Sequence, residues 1–296
     1  MDLSGVFSPI PTTFLDDAVD IPAMGRNVDR WMVTRLRGLV VLGSNGEAPL
    51  LDEAESDRVI GGARERVPSD RLLIAGTGRE STSAAVAAAR RAAALGADAV
   101  LVRTPSFFKA QLTAEVFVRH YTAVAEASPV PVLLYNFTKL TGVTLPIEAV
   151  SRLAEHSNIV GIKESSSDLQ YVAALVDHTP VGFAVLAGSA PAFYVSLLTG
   201  AVGGVLAVAC VVPDLCVALY DAVRANQLAQ ARDMQRCLTP LAQLVTSTHG
   251  VPGLKAALAD LGFDVGHPRR PFRPAPDEAV ADIRAALAKL KASVVS

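Results

Sequence analysis

The chain has 296 residues, enough for one large α/β domain or two ordinary ones, and its 51% hydrophobic and 19% charged content is that of a packed globular protein, not a disordered one. A net charge of −2 and a pI near 6.2 argue against nucleic acid or an anionic membrane as partner. Three cysteines without a C-x-x-C pair make no disulfide framework, the N-terminus lacks the basic and apolar regions of a secretory signal, and no apolar run is long enough for a membrane span, so a cytoplasmic protein is expected.

Along the chain, short apolar runs alternate with helical stretches. The runs are GVFSPIPTTF (5–14), GLVVLGS (38–44), LLIAGTG (72–78), AVLVRTP (99–105), PVLLYNF (131–137), IVGIKES (159–165), AVLAGS (184–189) and GGVLAVA (203–209). Most are continuous rather than alternating, which predicts strands buried on both faces of a parallel sheet. Between them lie stretches such as STSAAVAAARRAAALGAD (81–98), with helical periodicity and a glycine stop. Asp52 and Glu55 in LDEAE predict a helix start with an acidic capping box. Strand starts recur at the spacing of a βα unit, and eight units predict a (β/α)8 TIM barrel over residues 1–212. A doubly wound open sheet would want G-x-G-x-x-G after the first strand, and SPIPTTF has no glycine. Beyond residue 212 the pattern is helical: PDLCVALYDAVRANQLAQARDM, then LTPLAQLVTST, then GLKAALADLG. A Pro- and Arg-rich loop (266–276) precedes a last amphipathic helix, and residues 213–296 are expected to pack on the barrel as an extension.

In such a barrel the active site lies at the C-terminal ends of the strands. Strand 2 ends in Ser44-Asn45-Gly46-Glu47, strand 5 in Tyr135-Asn136, strand 6 in Lys163-Glu164-Ser165 and strand 7 in Gly188-Ser189, and these are expected to converge on the mouth. Lys163 sits in an apolar strand, where an ammonium is costly to desolvate. One reading is a Schiff-base nucleophile, since an apolar surround favours the neutral amine that attacks a ketone; the other is a structural lysine paired with a carboxylate at the rim. Tyr135 is either a general acid/base or a core tyrosine bonded to a backbone carbonyl. Ser44 and Asn45 offer a hydroxyl and backbone N–H groups to a carboxylate, or merely cap the next helix. GAVGG (200–204) could cradle phosphate, and tight barrel packing explains it at least as well. No pair of the five histidines has metal-ligand spacing and no G-x-S-x-G elbow occurs, so neither a metal centre nor a serine hydrolase is expected.

Together, GSNGE, YN, GIKES, LAGS and GAVGGV resemble the dihydrodipicolinate synthase / N-acetylneuraminate lyase family, in register from about Gly5 to Pro276. The resemblance implies a class I pyruvate-type aldolase on a (β/α)8 barrel with a C-terminal helical extension, a small 2-oxo acid as substrate, no cofactor, and a homotetramer or homodimer. By position, Lys163 matches the Schiff-base lysine and Tyr135 the proton-transferring tyrosine. Ser44 and Asn45 match the pair that holds the 2-oxo-acid carboxylate, and Leu206 a position whose backbone carbonyl faces the pyruvyl group. Ser165 and Gly188 complete the expected substrate site. GSNGE with Ser165 is closest in motif to 4-hydroxy-2-oxoglutarate aldolases, and cleavage of that type is the expected activity. The synthases usually carry two threonines at Ser44 and Asn45, and an arginine for a second carboxylate at Leu140. The remaining alternatives are the synthase condensation, a 2-keto-3-deoxy sugar acid aldolase or dehydratase, and a 2-oxo acid binder without turnover. The last is favoured by Phe107, which stands where the family often has a relay tyrosine reaching into a neighbouring subunit's site.

Overall fold

Runs of valine, leucine and isoleucine, each ended by glycine or a polar turn, form the strands. The structure, a computed structural model, describes residues 1–295. Strand β1 is Gly5–Pro9, followed by the short β2 (Phe14–Leu15) and β3 (Ala18–Val19). Then come β4 (Gly38–Val41), β5 (Leu72–Gly76), β6 (Ala99–Arg103), β7 (Val132–Asn136), β8 (Ile159–Glu164), β9 (Ala184–Ala187) and β10 (Gly203–Val205). β1 and β4 to β10 close a parallel barrel in chain order, with β1 hydrogen-bonded to both β10 and β4. Every strand is shorter than its apolar run, the first and the last most of all. The first ends at Pro9, and the rest of the run leads into the antiparallel β2–β3 pair. Pro11 cannot donate to a ladder, so the run breaks there. The last ends at Val205, because Ala207–Cys210 coil into a tight helical turn.

Between the strands lie α1 (Ile21–Met32), α2 (Glu53–Arg64), α3 (Thr82–Ala94), α4 (Ala114–Ala127), α5 (Thr138–Thr141), α6 (Ile147–Ala154), α7 (Leu169–Asp177) and α8 (Phe193–Leu198). α2 starts as predicted: the Asp52 carboxylate accepts from Glu55 N at 2.7 Å, and Glu55 Oε2 accepts from Asp52 N at 3.1 Å. After the barrel run α9 (Pro213–Arg224), α10 (Leu228–Gln243), α11 (Gly250–Asp260) and α12 (Asp277–Val295). The expected continuous helix over 213–234 is instead broken, because Asn226 adopts a left-handed φ of 59°, a conformation asparagine tolerates at helix ends. α10 then continues through Pro240. Among the described residues no helix is long and apolar enough to cross a membrane.

Two apolar layers result. Phe7, Val40, Ile74, Leu101, Leu133 and Leu186 fill the barrel interior, and a larger cluster seals the strands against the helices. The interior layer is capped at its C-terminal end by Tyr135 and Lys163, which are register partners on β7 and β8.

Candidate active site

Parallel register sets the site. Arg103 on β6 pairs with Tyr135 on β7, Tyr135 with Lys163 on β8, and Lys163 with Leu186 on β9. Neighbours in register share a face, so the Tyr135 and Lys163 side chains both enter the barrel. Lys163 is buried, and its Nζ lies 4.3 Å from the centre of the Tyr135 ring. No carboxylate pairs with it among the described residues, so the rim ion pair that would make Lys163 structural is missing.

The Tyr135 hydroxyl does not bond a backbone carbonyl. It lies 3.2 Å from Ser44 Oγ in the turn after β4. The next residue, Asn45, donates from Nδ2 to Pro9 O at 3.1 Å, which ties that turn to the end of β1. Leu42, at the start of the turn, has a φ of 54°, a left-handed conformation that costs a leucine about 1–3 kcal/mol. Such strain persists only where the surroundings enforce it, and here it aims Ser44 at Tyr135.

Ser165 and Gly188 meet at the ends of β8 and β9. A Cβ on Gly188 would lie 1.8 Å from Ser165 Oγ, so only glycine fits. The Ser165 hydroxyl is buried without a hydrogen-bond partner among the described residues. Leu206 is fully buried, and its carbonyl accepts from Ala209 N at 3.0 Å.

Two residues expected at the mouth are not there. Strand alternation turns Asn136 and Glu164 to the opposite face. Asn136 Nδ2 donates to Glu164 Oε2 at 2.6 Å, and Asn136 Oδ1 accepts from Leu145 N at 3.0 Å. Burial pushes the Glu164 carboxyl up, opposed by hydrogen bonds from Ser166 and Asn136. This is scaffold holding β7 against β8. Within one chain the Phe107 side chain does not line the site: it is 77% exposed and packs edge-on against Phe108.

Beside Ser44 and Tyr135 opens a cleft of about 240 Å³, lined also by Leu42 and Leu101 and by the charged Arg79, Glu80 and Arg103. Lys163 does not itself line this cleft; its Nζ sits over the Tyr135 ring that does. Arg103 Nη1 contacts Glu80 Oε1 at 2.8 Å, and Glu80 Oε2 accepts from Ser106 N at 2.9 Å and Phe107 N at 3.0 Å. Burial alone would raise the Glu80 carboxyl, but these N–H groups and Arg103 together take it down to about 2. Arg79 and this network escape sequence reading. The available signal was an arginine directly behind the G-T-G turn of the third barrel strand.

A buried ion pair, which the sequence does not reveal, lies beside the Ser44–Asn45 turn. Lys255 Nζ on α11 lies 2.9 Å from Glu47 Oε1, and both side chains are almost completely buried. It fixes the far end of the Ser44–Asn45 turn. Among the described residues no group of three or more His, Cys, Asp or Glu side chains is arranged to hold a metal ion.

The model of the dihydrodipicolinate synthetase family matches residues 2–290. A 4-hydroxy-tetrahydrodipicolinate synthase of an Exiguobacterium strain is 34% identical, over 96% of this chain and 97% of that protein. The 4-hydroxy-tetrahydrodipicolinate synthase structure from Methylacidiphilum fumariolicum superposes with a TM-score of 0.95 at 28% identity, covering 99% of this chain and 98% of that one. A chloride-inhibited dihydrodipicolinate synthase from Acinetobacter baumannii, complexed with pyruvate, gives a TM-score of 0.93 at 30% identity, covering 98% and 99%.

Proposed function

The chain belongs to the dihydrodipicolinate synthetase family, and on that premise we propose that it is a class I lyase joining or splitting a C–C bond of a 2-oxo acid through an imine on Lys163. The observation that carries the reading is a buried lysine without a counter-ion, stacked on Tyr135, whose hydroxyl touches Ser44. Lys163 Nζ adds to the C2 carbonyl of the 2-oxo acid, and the carbinolamine loses water to give the imine. Tyr135 and Ser44 form a two-hydroxyl chain that carries protons to the departing water. Loss of a C3 proton leaves an enamine, whose C3 attacks an aldehyde carbon; the reverse breaks the same bond. Ser44, Asn45 and the unsatisfied Ser165 hydroxyl supply donors for the 2-oxo acid carboxylate.

The relatives matched above carry synthase names, and condensation of pyruvate with an aldehyde is the reading we favour over the 4-hydroxy-2-oxoglutarate cleavage that the motifs suggest. Cleavage stands as the second reading because Ser44-Asn45 replaces the usual threonine pair and Leu140, 63% exposed, replaces the usual arginine.

Borohydride with pyruvate should trap a stable adduct on Lys163, located by mass spectrometry of the digested protein. An adduct elsewhere, or none, overturns the mechanism. We also propose that the exposed Phe107 and Phe108 face a second copy in a homodimer or homotetramer. Phe107→Tyr then adds a relay hydroxyl and should raise kcat several-fold with little change in pyruvate KM, within the roughly 10²–10⁴-fold range of acid–base catalysis. An unchanged kcat in the folded variant removes Phe107 from the proton path.

A further inference from the structure

Of the two guanidinium groups on the cleft wall, Arg103 is committed to Glu80 at 2.8 Å and to the Thr104 carbonyl at 2.9 Å. Arg79 is not. Its one hydrogen bond runs from Nη1 to the carbonyl of the preceding Gly78 at 3.2 Å, and no carboxylate among the described residues lies within ion-pair distance. The side chain is half-buried and lines the cleft that also holds Ser44 and Tyr135. Burial disfavours its charge; Glu53 and Asp57 offset this from a distance, while Arg91 and Arg103 add to it. A cation that gives up water without gaining an anion is costly, and a ligand anion removes the cost. A guanidinium presents several donors in a planar fork that matches a carboxylate.

We propose that Arg79 is a specificity-determining residue that binds a second carboxylate, on the end of the substrate remote from the carbon joined to Lys163. The proposal deepens the imine reading above and rests on it for the placement of the first carboxylate. The position where relatives usually offer an arginine is here the exposed Leu140, which can hold no anion. Arg79 instead puts a positive charge on the turn after β5, in the cleft with Ser44 and Tyr135. The chemical class that fits is a dicarboxylic 2-oxo acid, or an aldehyde bearing its own carboxylate. A neutral sugar-derived chain leaves Arg79 unpaired and is disfavoured.

Two readouts separate this claim from the imine. The first is competitive borohydride trapping of 2-oxoglutarate against 2-oxopentanoate, which differ in one terminal carboxylate. The wild type should prefer the diacid by roughly ten- to a hundredfold, the range of a charge-assisted hydrogen-bonded pair. Arg79→Met should abolish the preference while pyruvate trapping at Lys163 stays unchanged, and Arg79→Lys should retain part of it. The second is calorimetric binding of glutarate against butyrate, which needs no imine; glutarate should bind tighter, and Arg79→Met should erase the difference. Both preferences surviving in Arg79→Met, with pyruvate still trapped, overturns the role of Arg79 and leaves Lys163 standing. Failure of pyruvate trapping, with an Arg79-dependent preference for glutarate, sinks the imine and sustains the anion site.

Discussion

Lys163→Met is expected to abolish turnover, by on the order of 10⁴-fold or more, and to leave the protein at least as stable as before. Loss of activity follows because no other lysine lies on a barrel strand. Lys109 and Lys139 are exposed, and the Lys255 ammonium is committed to Glu47. The stability half is the more discriminating. A structural lysine leaves an orphaned carboxylate when removed, whereas Lys163 has no counter-ion to orphan. Methionine keeps the length of the side chain and its contact with the Tyr135 ring without the desolvation cost of a charge. The check is product formation together with the urea midpoint of both proteins. Turnover within tenfold of the wild type rules out the imine. A fall in stability of several kcal/mol means that Lys163 has a structural partner after all.

Much of this site is legible in one dimension because the barrel converts sequence position into spatial position. A polar residue ending an apolar run lies at the mouth whenever the run is a barrel strand. Ser44, Tyr135, Lys163, Ser165 and Gly188 could be named in that way, and the Ser44–Tyr135 contact follows. The same rule misplaced Asn136 and Glu164, because it ignores the two-residue period of side chains. A strand's last residue faces either the lumen or the helices, and its partner decides which. Glu164 faces outward because Asn136 does, and each satisfies the other. The apolar run 5–14 was too long for a strand because hydrophobicity does not register the donor a proline lacks. Arg79 and Lys255 were opaque for another reason. Lys255 matters for a carboxylate far away in the chain and Arg79 for an ion pair it lacks, and a sequence records neither.

Lys255→Met should destabilise the protein by about 3–5 kcal/mol, the reverse of the outcome at Lys163. Here the neighbouring charge remains. Glu47 is fully buried, and without Lys255 its carboxylate keeps only the backbone N–H of Arg269, at 2.8 Å on Oε2. Arg269 cannot turn to help, since its guanidinium is held by Glu55 at 2.6 and 2.7 Å. Methionine retains packing against Phe14, over whose ring Lys255 Nζ sits at 4.4 Å, so what is lost is the charge and its hydrogen bond to the His267 carbonyl at 3.0 Å, not the volume. The site should feel it as well. Glu47 closes the turn through its N–H to Ser44 O at 3.2 Å while holding a left-handed φ of 56°, and Thr12 Oγ1 pins the adjacent Gly46 carbonyl at 2.6 Å. An uncompensated carboxylate at that corner pulls the turn toward water and takes Ser44 away from Tyr135. The 2-oxo acid KM should therefore rise along with the loss of stability. Glu47→Gln combined with Lys255→Met gives the decisive comparison, because glutamine keeps an acceptor for Arg269 N and carries no charge. The double variant should recover most of the lost stability and much of the KM, a coupling read directly from the mutant cycle. If Lys255→Met alone costs less than about 1 kcal/mol, the carboxylate has been neutralised by a proton or reached by water, and the pair does not position the turn.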